Sequence, residues 1–412
     1  MANVIKLRKG LDVNLKGKAA KEEFQVKKPA VYALMPDDFT GMKPKVVVKE
    51  NDVVKVGDSL FVDKNHPEIK FVSPVSGRVT MVERGDRRKV LSVRVEADAE
   101  QQYVDFGKKN VGQMTAQEVK NLLLESGLFG FFRQRPYDVT ANPSDTPKAI
   151  FVSAFNSMPL AADFEYVLRG READFQAGLD ALAKMAKTYL GVSSKQTATA
   201  LTAAKNVEIN FFDGPAPAGN VGVQINHISP INKGEVVWTL GAEEVIFIGH
   251  LLNTGRLDFT RVIAFAGSEV KKPAYCKMTI GQQLSTLIEG NVTTGKSLRV
   301  INGNVMTGVK TSVDGFLGAH VTEVNDSRRR RRARDFRLDH AAFQRLLFQP
   351  CLHELVDGQE GVCTRRSCER RRTPHDHVGR IRPCIPDGHL PRTVGKSHYH
   401  RRHRPHGSFG HL

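Results

Sequence analysis

Phe129, Phe131, Phe132, Arg133, Arg135 and Tyr137 crowd one short stretch, GFFRQRPYD. An aromatic wall with guanidinium donors beside it can hold a planar ring and hydrogen-bond its polar substituents. Packed protein interfaces use the same residue types, so both uses stay open. His227, beside Asn226 in QINHISP, can donate to a ligand oxygen. A single histidine also serves as a satisfied structural group, because buried polar side chains need partners in any case. His250 ends an apolar run and Asp258 follows a glycine turn, and neither has a recognisable partner in the sequence. Cys276 has no CxxC neighbour, which leaves an iron–sulfur site unsupported. No nucleophile, base and orienting residue recur together, so no catalytic residues are assigned.

These residues need elements to hold them. The Phe/Arg stretch reads as a loop over 127–145. It lies between an amphipathic helix over 115–126, where Val119, Leu122 and Leu123 share a face, and a strand over 149–154. Residues 163–189 read as mostly helical and 207–212 as a strand. His227 falls in a Gly/Pro-rich connection, and 236–249 and 262–267 read as further strands. Alternating strands and helices predict a central α/β domain over 111–266. Residues 267–325 predict a smaller β-grasp-like α+β unit, with a short helix in IGQQLSTLIEG and a strand in SLRVING.

Residues 1–110 comprise a Lys-rich arm followed by a β-domain. Short Val-rich runs alternate there with the turns Gly57-Asp58, in VKVGDSL, and Ser76-Gly77, in SPVSGRV. This pattern resembles the lipoyl/biotinyl barrel-sandwich hybrid, whose cofactor sits on a hairpin lysine. Lys64 invites that comparison. Its interval from Gly57 is shorter than the family's, and Asn65-His66-Pro67 follows it, so an unmodified Lys64 on a docking domain is expected.

A nucleotide phosphate needs clustered glycines after a strand, opening a helix. The segment after 149–154, FNSMPLAADFE, has none, and prolines interrupt GPAPAGNVG. GNVTTGKS follows a helix rather than a strand, so it is not read as a phosphate loop. No bound cofactor is expected in this chain. No apolar run approaches the ~20 residues of a membrane span, and no signal segment opens the chain.

Three long segments fix a resemblance: residues 130–182, beginning GFFRQRPYDVTANPSD; residues 214–267, beginning GPAPAGNVGVQINHISP; and IGQQLSTLIEG. Together they closely resemble the NqrA family of sodium-translocating NADH:quinone oxidoreductase subunits, over essentially all of residues 1–325. That family is similar to the C subunit of the Rnf complex and to the flavin subunit of complex I. The resemblance implies three domains: a barrel-sandwich hybrid, an α/β domain and a soluble-ligand-binding-type (SLBB-like) β-grasp domain. It implies a peripheral subunit on the cytoplasmic face of a bacterial inner membrane, docked on membrane subunits, in a complex that passes electrons from NADH to ubiquinone and exports Na+. The flavins and iron–sulfur centre are then expected in partner subunits, with ubiquinone near Phe131, Phe132, Arg133, Arg135, Tyr137 or His227.

The rest of the chain reads differently. The formal net charge is +17, yet residues 326–412 alone hold 20 Lys+Arg against 9 Asp+Glu. They also hold 10 of the 14 histidines, four of the five cysteines and a single lysine. Permitted codons for Asp326 onward, read one nucleotide later, can spell IPEGDDDEHEIFGWIMPPF, and those for 386–412 can spell MDIYPVPLGKAIITEDIDRMEALGI. Both resemble the family's continuation. A frameshift near Asn325 is therefore expected, with a disordered tail over 326–412 and no nucleic-acid partner. The alternative is a non-catalytic binding module whose basic tail contacts nucleic acid or anionic lipid. In that case Cys363, Cys368, His375 and His377 form at most a weak zinc pattern.

Overall fold

The Lys-rich arm does not stay with the domain that follows it. In the computed structural model, which describes residues 4–293 and 298–328, β1 (Val4–Lys6) joins the central sheet and β2 (Ala20–Phe24) joins the sheet of the third domain. Backbone bonds from Leu7 to Asp213 (2.7 Å) and from Ala20 to Pro273 (2.9 Å) fasten it on both sides.

The β-domain follows with β3 (Val31–Leu34), β4 (Pro44–Val46), β5 (Val53–Val54), β6 (Ser59–Asp63), β7 (Lys70–Val72), β8 (Gly77–Arg84) and β9 (Val90–Ala97). They form a four-stranded sheet, β3-β9-β8-β5, and a three-stranded one, β4-β6-β7. Leu60, Phe61, Phe71, Val79 and Val93 fill the space between. Gly77 is required: its φ is +157°, and a Cβ there would stand 1.8 Å from the Glu96 carbonyl oxygen. Lys64 is exposed on the hairpin that follows β6.

The central domain opens with α1 (Ala116–Glu125), started by a capping box between Thr115 and Glu118. β10 (Arg133–Arg135), β11 (Val139–Thr140), β12 (Ile150–Ser153), α2 (Phe164–Leu168), α3 (Glu172–Met185) and β13 (Thr188–Ser193) come next. Then follow α4 (Thr199–Thr202), β14 (Glu208–Asp213), α5 (Val221–Ile228), β15 (Val237–Gly241) and α6 (Ala242–Thr254). The sheet order is β1-β14-β13-β12-β15-β10-β11. The first five of these strands run parallel, and β10 pairs antiparallel to β15. From β12 the chain winds outward to β13 and β14, then returns to place β15 on the other side. This is a doubly wound arrangement, and it fixes a switch point between β12 and β15.

Four expectations from the sequence need correction here. The stretch 127–145 is not all loop, since it holds β10 and β11. The run 236–249 is not one strand: only Val237–Gly241 is, and α6 follows. α6 is buried on nearly every side, so its apolar run shows no amphipathic period to separate it from a strand. The Gly/Pro-rich connection contains α5. The run 262–267 belongs to β16 (Thr260–Ala266), which lies in the third sheet rather than the central one.

The third domain adds β17 (Ala274–Thr279), α7 (Ser285–Ile288), β18 (Leu298–Asn302), β19 (Val309–Thr311) and β20 (Glu323–Arg328) to β16. The order β19-β18-β20-β16-β17-β2 encloses a core of Ile263, Phe265, Met278, Leu287, Val300 and Val324. The expected disorder from residue 326 is corrected for Asp326–Arg328, which extend β20 against β18. The remainder of the basic tail, 329–412, with its cysteine and histidine pattern, lies outside the described residues, as does 294–297.

Candidate functional site at the switch point

Ligands of doubly wound sheets sit beyond the carboxyl ends of the strands, where the winding reverses. A cavity of about 440 Å³ lies there. Ser153 to Asn156 after β12, Leu240 to Glu244 at the end of β15 and the start of α6, and Asn220-Val221 at the start of α5 line it. Phe131, Arg133 and Arg135 come from one side; Thr307, His320 and Thr322 come from the third domain. A larger cleft of about 600 Å³ lies further along the same edge of the sheet, under the N-terminal arm. Its charges are mixed, with Lys21 paired to Asp163 at 2.7 Å, so it offers no charge preference.

Three domains meet at this cavity through buried charge. Arg261 on β16 is fully buried and donates to Glu243 (2.6 Å), to Glu244 and to the Ala319 carbonyl (2.6 Å). Burial pushes the Glu243 carboxyl above the usual range against the pull of Arg261. Burial works on Glu244 too, but Arg261 and His320 together hold it well below that range. His320 is half-buried, with Nδ1 3.6 Å from Glu244. Burial presses its pKa down, which favours a neutral ring at neutral pH. Asp38, from the β-domain, accepts from the Ala319 N–H at 2.9 Å, and burial pushes its carboxyl up to about 6.

Arg133 and Arg135 share one counter-ion. Asp138, across the hairpin, lies 3.5 Å from Arg133 and 3.3 Å from Arg135. The Arg135 Nε is buried without an acceptor. A half-satisfied guanidinium beside a cavity is a donor held ready for a ligand oxygen.

No glycine-rich cradle opens a helix directly after β12. The turn after β12 holds Phe155, Asn156, Ser157 and Met158, and α2 starts only at Phe164. Three nearby N–H groups are taken up by the chain's own side chains. Met158 donates to Asn156 (2.9 Å), Gly219 to Ser157 Oγ (2.8 Å) and Gly222 to Asn220 (2.8 Å). The third domain holds the turn as well, since Asn304 donates to the Pro159 carbonyl at 2.8 Å. Among the described residues no group of three or more His, Cys, Asp or Glu side chains could hold a metal ion. No helix among them is long and apolar enough to cross a membrane.

Three family descriptions match in sequence order: the NqrA N-terminal barrel-sandwich hybrid domain over 5–98, the NqrA second alpha/beta domain over 114–257, and the NQRA C-terminal domain over 262–313. The NqrA of Yersinia pestis, a Na(+)-translocating NADH-quinone reductase subunit, is 35% identical over 329 residues, 78% of this chain and 73% of that protein. The chain belongs to this family. The NqrA of Serratia proteamaculans is 36% identical over 321 residues, covering 76% and 71% of the two chains. That of Pseudomonas aeruginosa is 35% identical over 308 residues, covering 74% and 68%. Among solved structures, an NAD+-reducing NiFe-hydrogenase is similar at 14% identity and a TM-score of 0.32, covering 44% of this chain and 41% of that chain.

In this NqrA-family chain the residues proposed from sequence divide. Phe131, Arg133 and Arg135 line the cavity. Phe131 is also packed between domains, stacked on Phe259 (ring centroids 6.2 Å apart) and edge-on to Phe39 (5.7 Å) and His320 (5.4 Å). Phe132 is not at the cavity; it is fully buried against Phe129 (5.4 Å) and Trp238 (5.8 Å). Tyr137 is 82% exposed on the tip of the hairpin. His227 is exposed on α5 with Nδ1 bonded to its own helix at the Val223 carbonyl, 2.8 Å away. His250, expected to lack a partner, meets Asp174 on α3 at 3.1 Å. Sequence reading missed His320, Glu243, Glu244 and Arg261. The available signal was Glu243-Glu244 inside the apolar run LGAEEVIFIG: two acids buried together demand a cation.

Proposed function

We propose that this chain is the peripheral, cytoplasm-facing subunit of a bacterial Na+-translocating NADH:quinone reductase. It docks on the membrane subunits, holds no redox centre of its own, and presents the switch-point cavity to the quinone. One observation carries the quinone part. Phe131 supplies an aromatic wall, Arg133 and Arg135 supply donors, and His320 supplies a neutral ring, all around one cavity of about 440 Å³. A quinone headgroup is planar, uncharged and bears two carbonyl acceptors, which these groups suit. A neutral histidine can also donate its ring N–H as a hydrogen bond to a quinone oxygen. Electrons arrive from partner subunits.

The test uses the assembled complex and a photoreactive ubiquinone analogue. The reading expects label on peptides holding Phe131–Arg135 or His320, displaced by ubiquinone and reduced in Arg135→Ala. Label confined to other subunits would overturn the quinone assignment. Release of the chain from membranes by high salt without detergent supports peripheral docking, and retention through that wash counts against it.

A further inference from the structure

We propose that the chain leaves the protein's own reading frame at residue 326, within β20, and that this position of the strand is built for an aliphatic side chain. Side chains along a strand alternate between faces, so Asp326 shares a face with Val324, a fully buried member of the third-domain core. Across the antiparallel ladder Asp326 stands opposite Val300, which belongs to the same core. Directly opposed residues of a ladder point the same way. The carboxylate is thereby aimed into a core that includes Phe265 and Val270.

Asp326 is fully buried, and neither of its side-chain oxygens has a hydrogen-bond partner. The N–H groups of Ser327 and Arg299 influence it, yet neither closes a bond of ordinary geometry. Buried carboxylates are rare without a partner because desolvation is costly. The polar residues just before it behave otherwise. Glu323 accepts from Asn304 at 3.1 Å and from the Thr322 hydroxyl, and Asn325 donates to the Gly303 carbonyl at 2.9 Å. The Asn325 Oδ1 lacks a partner as well, but Asp326 is the first polar side chain of the strand with no hydrogen bond at all.

Codon freedom is compatible with a break at the same residue, by a route that uses no geometry. Read one nucleotide later, codons permitted for Asp326 and Ser327 begin Ile-Pro. Isoleucine is β-branched and apolar, which is what the slot facing Val300 and Val324 accepts. A frame lost at this point also explains why lysine gives way to arginine and histidine from here on. None of this depends on the quinone reading.

The gene's nucleotides across codons 321–412 decide it. The proposal expects the frame read one nucleotide later to stay open through this stretch and to begin Ile-Pro-Glu-Gly. A stop codon in that frame would overturn it. A second measurement addresses the slot itself in the full chain. Asp326→Ile is expected to raise the melting temperature at pH 8 by about 2 °C or more, with Asp326→Asn gaining less. A lower melting temperature for Asp326→Ile would overturn the aliphatic slot. So would stabilisation of the unchanged chain by Na+ or Ca2+ that Asp326→Ile abolishes, because the carboxylate would then be a cation ligand.

Discussion

Arg261 on β16 reaches out of the third domain and donates to Glu243 at the start of α6, 2.6 Å away. Its other terminal nitrogen serves Glu244 and the Ala319 carbonyl. One guanidinium thereby ties the central sheet's switch point to the third domain, and Asp38 ties the β-domain to the same loop through the Ala319 N–H. The cavity's shape rests on this junction, because Phe131 and His320 pack against each other across it.

Arg261→Met is expected to destabilise the chain by about 3–5 kcal/mol, since it strands two buried acids without a cation. Urea unfolding reads this as a lower midpoint with an unchanged slope. Adding Glu243→Gln and Glu244→Gln to the methionine variant should recover part of the loss. A single-variant loss below about 1 kcal/mol, the range of an exposed ion pair, would mean that the junction is solvated.

The helix pair α3–α6 depends on two glycines. A Cβ on Gly249 would stand 1.6 Å from the Asp174 carbonyl oxygen, and one on Gly178 would stand 2.1 Å from that of Val245. Either alanine variant must push the helices apart, a strain of about 1–3 kcal/mol. The double variant should cost less than the sum, because one separation relieves both clashes. Gly249→Ala should also loosen Asp174 from His250 and Asn253. Thermal melts of the three variants check the prediction, and strict additivity would contradict it.

How much of this was legible beforehand varied with burial. α1 and α3 each turn one face to the core, so their periodicity shows; α6 is enclosed, and its sequence reads equally as strand. α5 hides among glycines and prolines that read as loop. Of the quinone candidates, Phe131, Arg133 and Arg135 line the cavity, and they stand out in the sequence because aromatic and guanidinium groups crowd one short stretch. Phe131 closes a tight turn and Phe132 begins the extended chain, so one faces the cavity while the other enters the core against Trp238. His320 sits between short turns with no motif around it, and only the fold brings it 3.6 Å from Glu244. The partners of Arg261 come from another domain, and no local pattern encodes such a contact.

Cys276 is fully buried on β17, and burial, aided by Glu23, pushes its thiol up to about 12. Only the thiolate reacts with alkylating reagents. Iodoacetamide at pH 8 should therefore leave the peptide containing Cys276 unmodified in the native chain and alkylate it fully in 6 M guanidinium. Mass spectrometry of the digest resolves this peptide from those of the remaining cysteines. Rapid native labelling would show that β17 opens readily from the third sheet.

The pH dependence of stability has a sign set by Asp326. Burial first, then the charge of Glu269, pushes its carboxyl up from 3.8 to about 7. In the unfolded chain the group ionises near its ordinary value, while in the folded chain it stays protonated until pH approaches 7. Its contribution is therefore intact below about pH 4, declines as pH rises, and is fully lost above about pH 7. Three pH units correspond to about 4 kcal/mol. Asp38, pushed up to about 6 by burial, and Glu243 and Glu323, also raised by burial, add declines of the same sign, so the raw profile mixes them. The difference between the unchanged chain and Asp326→Asn isolates Asp326, with Glu269 and Arg299 retained in both. That difference should be small at pH 4 and grow steadily to pH 7 in favour of the asparagine variant. A difference independent of pH would mean that the carboxylate ionises normally in the folded chain and reaches solvent.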